Sequence, residues 1–152
     1  MAYRPGVGMM LINAHHQILA GKRIDMSSSA WQMPQGGIDP GEDPEAAAWR
    51  ELWEEVGTNK AQLITRTAGW IAYDFPDNLV PKLWDGQFCG QTQIWYLMRF
   101  TGTDNDFDLD MHEREFSEIQ WLDRQTLMDR VVWFKRQSYV DILAEFSIHF
   151  PG

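Results

Sequence analysis

The stretch GGIDPGEDPEAAAWRELWEEVGT, Gly36–Thr58, carries the pattern that decides how this chain is read. Asp43 is a residue type that caps helix N-termini, and Pro44 suits the first helical position, where its missing N–H costs nothing. Gly57 offers a left-handed C-terminal stop, so the spacing predicts a helix from Pro44 to about Val56. Ala48, Leu52 and Val56 give it an apolar face. Glu51, Glu54 and Glu55 converge on another, because residues three and four apart are neighbours. No lysine or arginine stands four residues after any of these glutamates. Arg50 reaches Glu54, but in the less favourable order, and like charges at these spacings cost roughly 0.2–0.5 kcal/mol per pair. Two readings follow. Such a face can simply be solvated. Alternatively, the carboxylates are hard oxygen donors that hold magnesium or manganese, so that repulsion becomes binding energy.

Outside this helix, VGMMLI and QILAGKR read as two short strands joined around Asn13–His16 as a hairpin. AWQMP reads as a further strand, ended by Pro34 and a turn at Gly36–Gly37. Strand-like segments follow near Leu63–Ala68, Trp70–Phe75, Gln91–Phe100 and Glu118–Leu122, with a short helix near Gln125–Arg130. A last helix, about Lys135–Phe146, has Tyr139, Ile142, Leu143 and Phe146 at core-facing spacing. Strands interleaved with helices imply an α/β (α+β) fold, a mixed sheet covered by helices. No repeat, low-complexity block or linker divides the 152 residues, so one domain is expected over 1–152.

Composition narrows the partners. The net charge is −9, with lysines and arginines scattered and Lys135–Arg136 the strongest basic cluster. A protein that tracks along a nucleic-acid backbone needs a basic stripe, so an extended nucleic-acid tract is not expected. A local anionic group held with metal ions is compatible. The eight tryptophans read mainly as packing residues. The apolar run Val7–Ile12 is far too short for a membrane span, and it lacks the flanks of a signal peptide. A single cysteine, Cys89, forms no internal disulfide, and a reducing, cytoplasmic location is the simplest expectation.

Gly36, Glu42, Arg50, Glu51, Leu52, Glu54, Glu55 and Gly57 stand in the register of the Nudix hydrolase signature, and the chain resembles that family. Thr58 departs, being branched but polar where the signature has a bulky apolar residue. A chance match to the fixed positions is on the order of one in 10⁸–10⁹ per window. The resemblance implies an α/β/α sandwich with a mixed curved sheet. It implies that Glu51, Glu54 and Glu55 ligate the metal, one of them activating water, and that Arg50 orients them. Glu42 would tie the loop to the helix, Gly36 and Gly37 would shape the approach, and the Gln35–Gly36 turn would lend a carbonyl to the metal. Which glutamate is the base varies within the family.

YRPGVGMML, WQMPQGG, YDFP, GQTQIWYL and WFKRQSYVDIL resemble one subgroup, the bacterial RNA 5′-pyrophosphohydrolases and the related dinucleoside polyphosphate hydrolases. That likeness makes a nucleotide polyphosphate or the 5′ end of RNA the expected partner. It offers Arg4, Arg23, Tyr73 and Lys135 to hold the polyphosphate and Phe134 to stack on a base. Each has a plainer alternative: surface charge for the arginines, core packing for Tyr73 and Phe134, a helix start for Lys135. Glu115 is offered as a further metal ligand, with Glu113 and Glu118 as rivals should the register slip. A nucleoside triphosphate sanitising enzyme, or a non-catalytic nucleotide-binding Nudix module, are the competing functions. The second is expected to lose signature glutamates, and here all are present.

Overall fold

The computed structural model describes residues 2–24, 30–78, 86–110, 112 and 114–149. Eight strands among them form one sheet: β1 (Ala2–Ile12), β2 (Ile18–Arg23), β3 (Trp31–Gln32), β4 (Gln35–Gly37), β5 (Ala61–Arg66), β6 (Ile71–Asp74), β7 (Phe88–Phe100) and β8 (Phe116–Leu122). Helix α1 is Pro44–Val56, α2 is Arg124–Arg130 and α3 is Arg136–Phe146, and a single 3-10 turn, Trp133–Lys135, leads into α3. The main path runs β3-β2-β1-β7-β5. Off it, β4 pairs with β1, β6 with β7 and β8 with β2. Among the described strands only β1 and β7 pair in parallel, so the sheet is mixed.

The two parallel strands are its centre, and both faces are apolar over Val7–Ile12 of β1 and Ile94–Met98 of β7, as sheets covered on two sides require. On one face Met10, Ile12, Trp95 and Leu97 pack with Leu127 of α2 and Tyr139, Ile142 and Phe146 of α3. On the other, Val7, Met9, Leu11, Ile94 and Tyr96 pack with Ala47, Ala48, Leu52 and Val56 of α1. Helices on both faces give the three-layer sandwich. Among the described residues, no helix is long and apolar enough to cross a membrane.

Local sequence signals set α1 as expected. The Asp43 side chain accepts the Ala46 N–H at 3.2 Å, and Gly57 closes the helix at φ 78°. Gly57 also meets a neighbour, since a Cβ there would lie 2.4 Å from the Asp108 carbonyl oxygen. Thr58 is buried, and its hydroxyl accepts the Lys60 N–H at 3.1 Å, a use that an apolar residue would not supply.

Gly36–Gly37 differ from expectation. They are not a turn but part of β4, with Val7 opposite Gly36 and Gly6 opposite Gly37. Their lack of side chains serves close approach: a Cβ on Gly36 would fall 1.9 Å from the Glu51 carboxyl, and one on Gly37 would fall 2.3 Å from Arg4 Nη2. The expected AWQMP strand shrinks to Trp31–Gln32, because the Pro34 carbonyl is taken by Met9 N–H and the chain then crosses to β1. The last helix starts one residue late, at Arg136, after the 3-10 turn.

Candidate active site

Arg50 organises one side of the site. Its Nε and Nη2 donate to the two oxygens of Glu42, both at 2.9 Å, a fork that matches carboxylate geometry. Nη1 donates to Glu51 Oε1 at 2.8 Å and to Glu54 Oε2 at 3.1 Å, and Nη2 also donates to the Gly37 carbonyl at 2.9 Å. Glu42 Oε1 accepts the Asp39 N–H as well. Arg50 and that backbone donor hold the Glu42 carboxyl down at about 2, and the Glu42 contact raises the guanidinium above its ordinary value. One side chain thus joins the β4 edge, the loop before α1 and the acidic face of α1.

The glutamates on that face are unlike one another. Glu54 is half-buried, whereas Glu55 is only 4% exposed. Burial pushes the Glu55 carboxyl up to about 9, reinforced by the charges of Glu115 and Glu51 and opposed by Arg23. Burial likewise lifts Glu51 to about 7 against the pull of Arg50, with Glu54 and Glu115 adding to the rise. One buried oxygen of Glu55, Oε2, has no hydrogen-bond partner. Buried carboxylates repelling one another around an unpartnered oxygen fit a hard divalent cation. Among the described residues, no three His, Cys, Asp or Glu side chains are arranged to clasp a metal as they stand, and Arg50 Nη1 is bonded to both Glu51 and Glu54.

Glu115 lies just before β8, where its charge acts on both Glu51 and Glu55 and its Oε2 is 4.0 Å from Arg23 Nη1. Glu118 is within β8, opposite Lys22 and exposed, and Glu113 lies outside the described residues.

The residues offered for substrate gather beside this acidic group. Arg4 lies over Gly37, and Arg4 and Arg23 both act on the Tyr73 hydroxyl. Tyr73 is buried, which raises its phenol to about 12. Lys135 Nζ sits 5.4 Å over the Tyr73 ring and donates to Gln32 Oε1 at 2.8 Å, while the Phe134 ring centroid lies 6.0 Å from that of Tyr73. Lys135 is buried and stands at the N-cap of α3. Phe134 is half-buried, so part of its ring stays open.

A row of buried amides was not expected. Gln35 Nε2 donates to Tyr73 Oη at 3.4 Å and to Gln91 Oε1 at 3.3 Å, Gln93 Nε2 donates to the same Gln91 oxygen, and Trp95 Nε1 donates to Gln93 Oε1. Gln32 Nε2 and Gln35 Oε1 are buried without partners. Alternation was the available signal: Gln91, Gln93 and Trp95 occupy one face of β7, where an apolar series would be the norm. Tyr139 meets the Trp95 end of the row edge-on, with ring centroids 5.8 Å apart, and its hydroxyl accepts the Met33 N–H at 2.8 Å.

A model of the NUDIX domain matches residues 2–142. The RNA pyrophosphohydrolase of Rhodospirillum rubrum is 52% identical over 97% of this chain and 88% of its own, and that of Rickettsia bellii is 50% identical over 97% and 91%. In fold, the chain is similar to the E. coli dihydroneopterin triphosphate pyrophosphohydrolase, with a TM-score of 0.73 at 18% identity, covering 95% of this chain and 99% of that one. A C. elegans Ap4A hydrolase follows with a TM-score of 0.68 at 16% identity, covering 97% and 99%. The family works with divalent cations on nucleotide substrates. With the signature residues around Arg50 and a family match across nearly the whole chain, this protein belongs to the Nudix family and is a hydrolase of phosphoanhydride bonds.

Proposed function

We propose that the chain, acting as one domain over 1–152, removes pyrophosphate from triphosphorylated 5′ ends of RNA, with dinucleoside polyphosphates as the competing substrate. The observation that carries this reading is the meeting of Arg4, Arg23, Tyr73 and Lys135 beside Glu51, Glu55 and Glu115. The relatives named as RNA pyrophosphohydrolases, 50% and 52% identical, support it. Glu51, Glu54, Glu55 and Glu115 would hold magnesium or manganese, which supplies charge neutralisation at phosphate oxygens and a more acidic water. Arg50 keeps Glu51 and Glu54 in place and, through Glu42 and Gly37, ties them to β4. Arg4, Arg23 and Lys135 neutralise a polyphosphate that the acidic cluster would otherwise repel. The Tyr73 hydroxyl, protonated at any physiological pH, is a donor to a phosphate oxygen. Phe134 offers its open face to the first base. A carboxylate of Glu51, Glu54 or Glu55 takes the proton from the attacking water.

The test is turnover of triphosphorylated RNA and diadenosine tetraphosphate side by side, with magnesium or manganese. Pyrophosphate released from the RNA at a higher kcat/KM is expected. Absence of turnover on both substrates refutes the proposal, and preference for the dinucleotide reassigns the substrate.

A further inference from the structure

Gln35, Gln91, Gln93 and Trp95 form a buried row, and the donor at its far end sets the direction of every amide in it. Trp95 is fully buried and lies over β1 opposite Gly8, where a Cβ would fall 2.3 Å from its ring. Its indole N–H donates and cannot accept. Gln93 therefore turns Oε1 to it, at 3.2 Å, and points Nε2 on to Gln91 Oε1 at 3.0 Å. That oxygen obliges Gln35 to approach with its nitrogen. Gln35 Nε2 donates to it at 3.3 Å and to Tyr73 Oη at 3.4 Å.

The other end of the Gln35 amide gives a second observation. Gln35 Oε1 is buried and has no hydrogen-bond partner, so its own surroundings do not fix which end faces Tyr73. The row fixes it, from an indole held edge-on against Tyr139 in the core. Burying amides brings no packing gain over apolar side chains of the same size, and direction is what they add. The consequence falls on the phenol. Gln35 occupies an acceptor position of the Tyr73 oxygen, which leaves the hydroxyl proton for a group outside the row.

We propose that Gln93 and Trp95 are positioning residues for the hydrolysis, holding the amides in the direction that makes the Tyr73 hydroxyl a donor towards the polyphosphate. This rests on the reading of Tyr73 as a phosphate donor. Neither residue touches substrate, since Gln93 is 1% exposed and Trp95 is 0% exposed. Gln93→Glu reverses the row. The carboxylate still accepts the indole N–H but has no proton for Gln91, so it draws Gln91 Nε2 to itself. Gln35 then turns Oε1 to the row, and that oxygen takes the Tyr73 proton inward. Gln93→Met, close in volume, removes the direction without adding charge.

The experiment compares kcat and KM for triphosphorylated RNA and diadenosine tetraphosphate, with magnesium, in the wild type, Gln93→Glu, Gln93→Met, Tyr73→Phe and the two double variants. Thermal melts confirm folding, and should Gln93→Glu not fold, Gln93→Met carries the same test. Each single variant is expected to lose about 10- to 100-fold in kcat/KM, the range of one hydrogen bond to a charged acceptor, divided between kcat and KM as in Tyr73→Phe. In the Tyr73→Phe background, either Gln93 substitution should add less than about 2-fold. A loss that persists in that background overturns the inference, because the row then acts by packing or charge and not through the phenol. Folded Gln93 variants as active as the wild type overturn it too. Wild-type kinetics in Tyr73→Phe overturn both the inference and the donor role of Tyr73. A wild type that turns over neither substrate refutes the functional reading itself, a failure visible before any variant is made.

Discussion

Glu55→Gln separates a carboxylate kept for function from one kept for stability. In the metal-free protein, Glu55 is 4% exposed, and burial first, then Glu115 and Glu51, raise it from an ordinary 4.5 to about 9. The folded state therefore holds a proton that the unfolded chain releases, and stability is lost as pH rises from 4.5 towards 9. Each unit is about 1.4 kcal/mol, and pH 7 lies about 2.5 units above the ordinary value, so folding is weakened there by up to roughly 3.5 kcal/mol. Solvent relaxation around the carboxyl lowers this, giving a range of about 1–3 kcal/mol. Glutamine keeps the shape, carries no titrating proton and can donate to Glu115. In EDTA at pH 7 the variant should be about 1–3 kcal/mol more stable, a rise of roughly 3–10 °C in melting temperature for a domain of this size. The difference should vanish near pH 4.5 and widen towards pH 9. Turnover with magnesium should fall by orders of magnitude, and magnesium should raise the melting temperature of the parent far more than that of the variant. Thermal melts by circular dichroism at pH 5, 7 and 9, with and without magnesium, measure all of this. A variant less stable than the parent at every pH, or a difference independent of pH, would refute the reasoning.

Two further changes probe the frame around the glutamates. Gly36→Ala drives a methyl into the Glu51 carboxyl, the mobile end of a side chain, so kcat should fall by about 10- to 1000-fold while thermal melts show a loss of about 1 kcal/mol; a normal rate would mean that Glu51 need not stay where it is. Arg50→Lys keeps the charge but loses the fork on Glu42 and the simultaneous contacts to Glu51, Glu54 and Gly37, so urea unfolding should show about 1–3 kcal/mol of destabilisation together with a slower rate; unchanged stability and rate would remove Arg50 from its organising place.

The elements that could be read in the chain are those whose causes are local. Asp43, Pro44 and Gly57 specify α1 through interactions within a turn of each end, and the buried set of α3 follows from a period of 3.6. Strand limits were less legible. β1 begins at Ala2 rather than near Val7 because β7, some 90 residues on, pairs with it in parallel from Phe88 onward. Gly36–Gly37 resembled a turn because glycine has two uses, and only the neighbours tell left-handed freedom from close approach. The amide row from Gln35 to Gln93 was hidden for the same reason: a buried glutamine is tolerated only when distant partners complete it.

The sequence by itself determined the chemistry of the site: signature spacing, carboxylates on one helical face, an arginine next to them, and the family that this pattern defines. Those depend on short-range geometry, which the covalent chain enforces wherever the helix forms. Tertiary structure decided the differences within that set. Burial and proximity to Glu115 separate Glu55 from Glu54, although both stand on the same helix one residue apart. Packing of the turn before α3 against Tyr73 brings Lys135 and Phe134 to residues that lie more than 50 positions away in sequence. Desolvation and long-range contact are properties of the folded surroundings, and no local pattern encodes them.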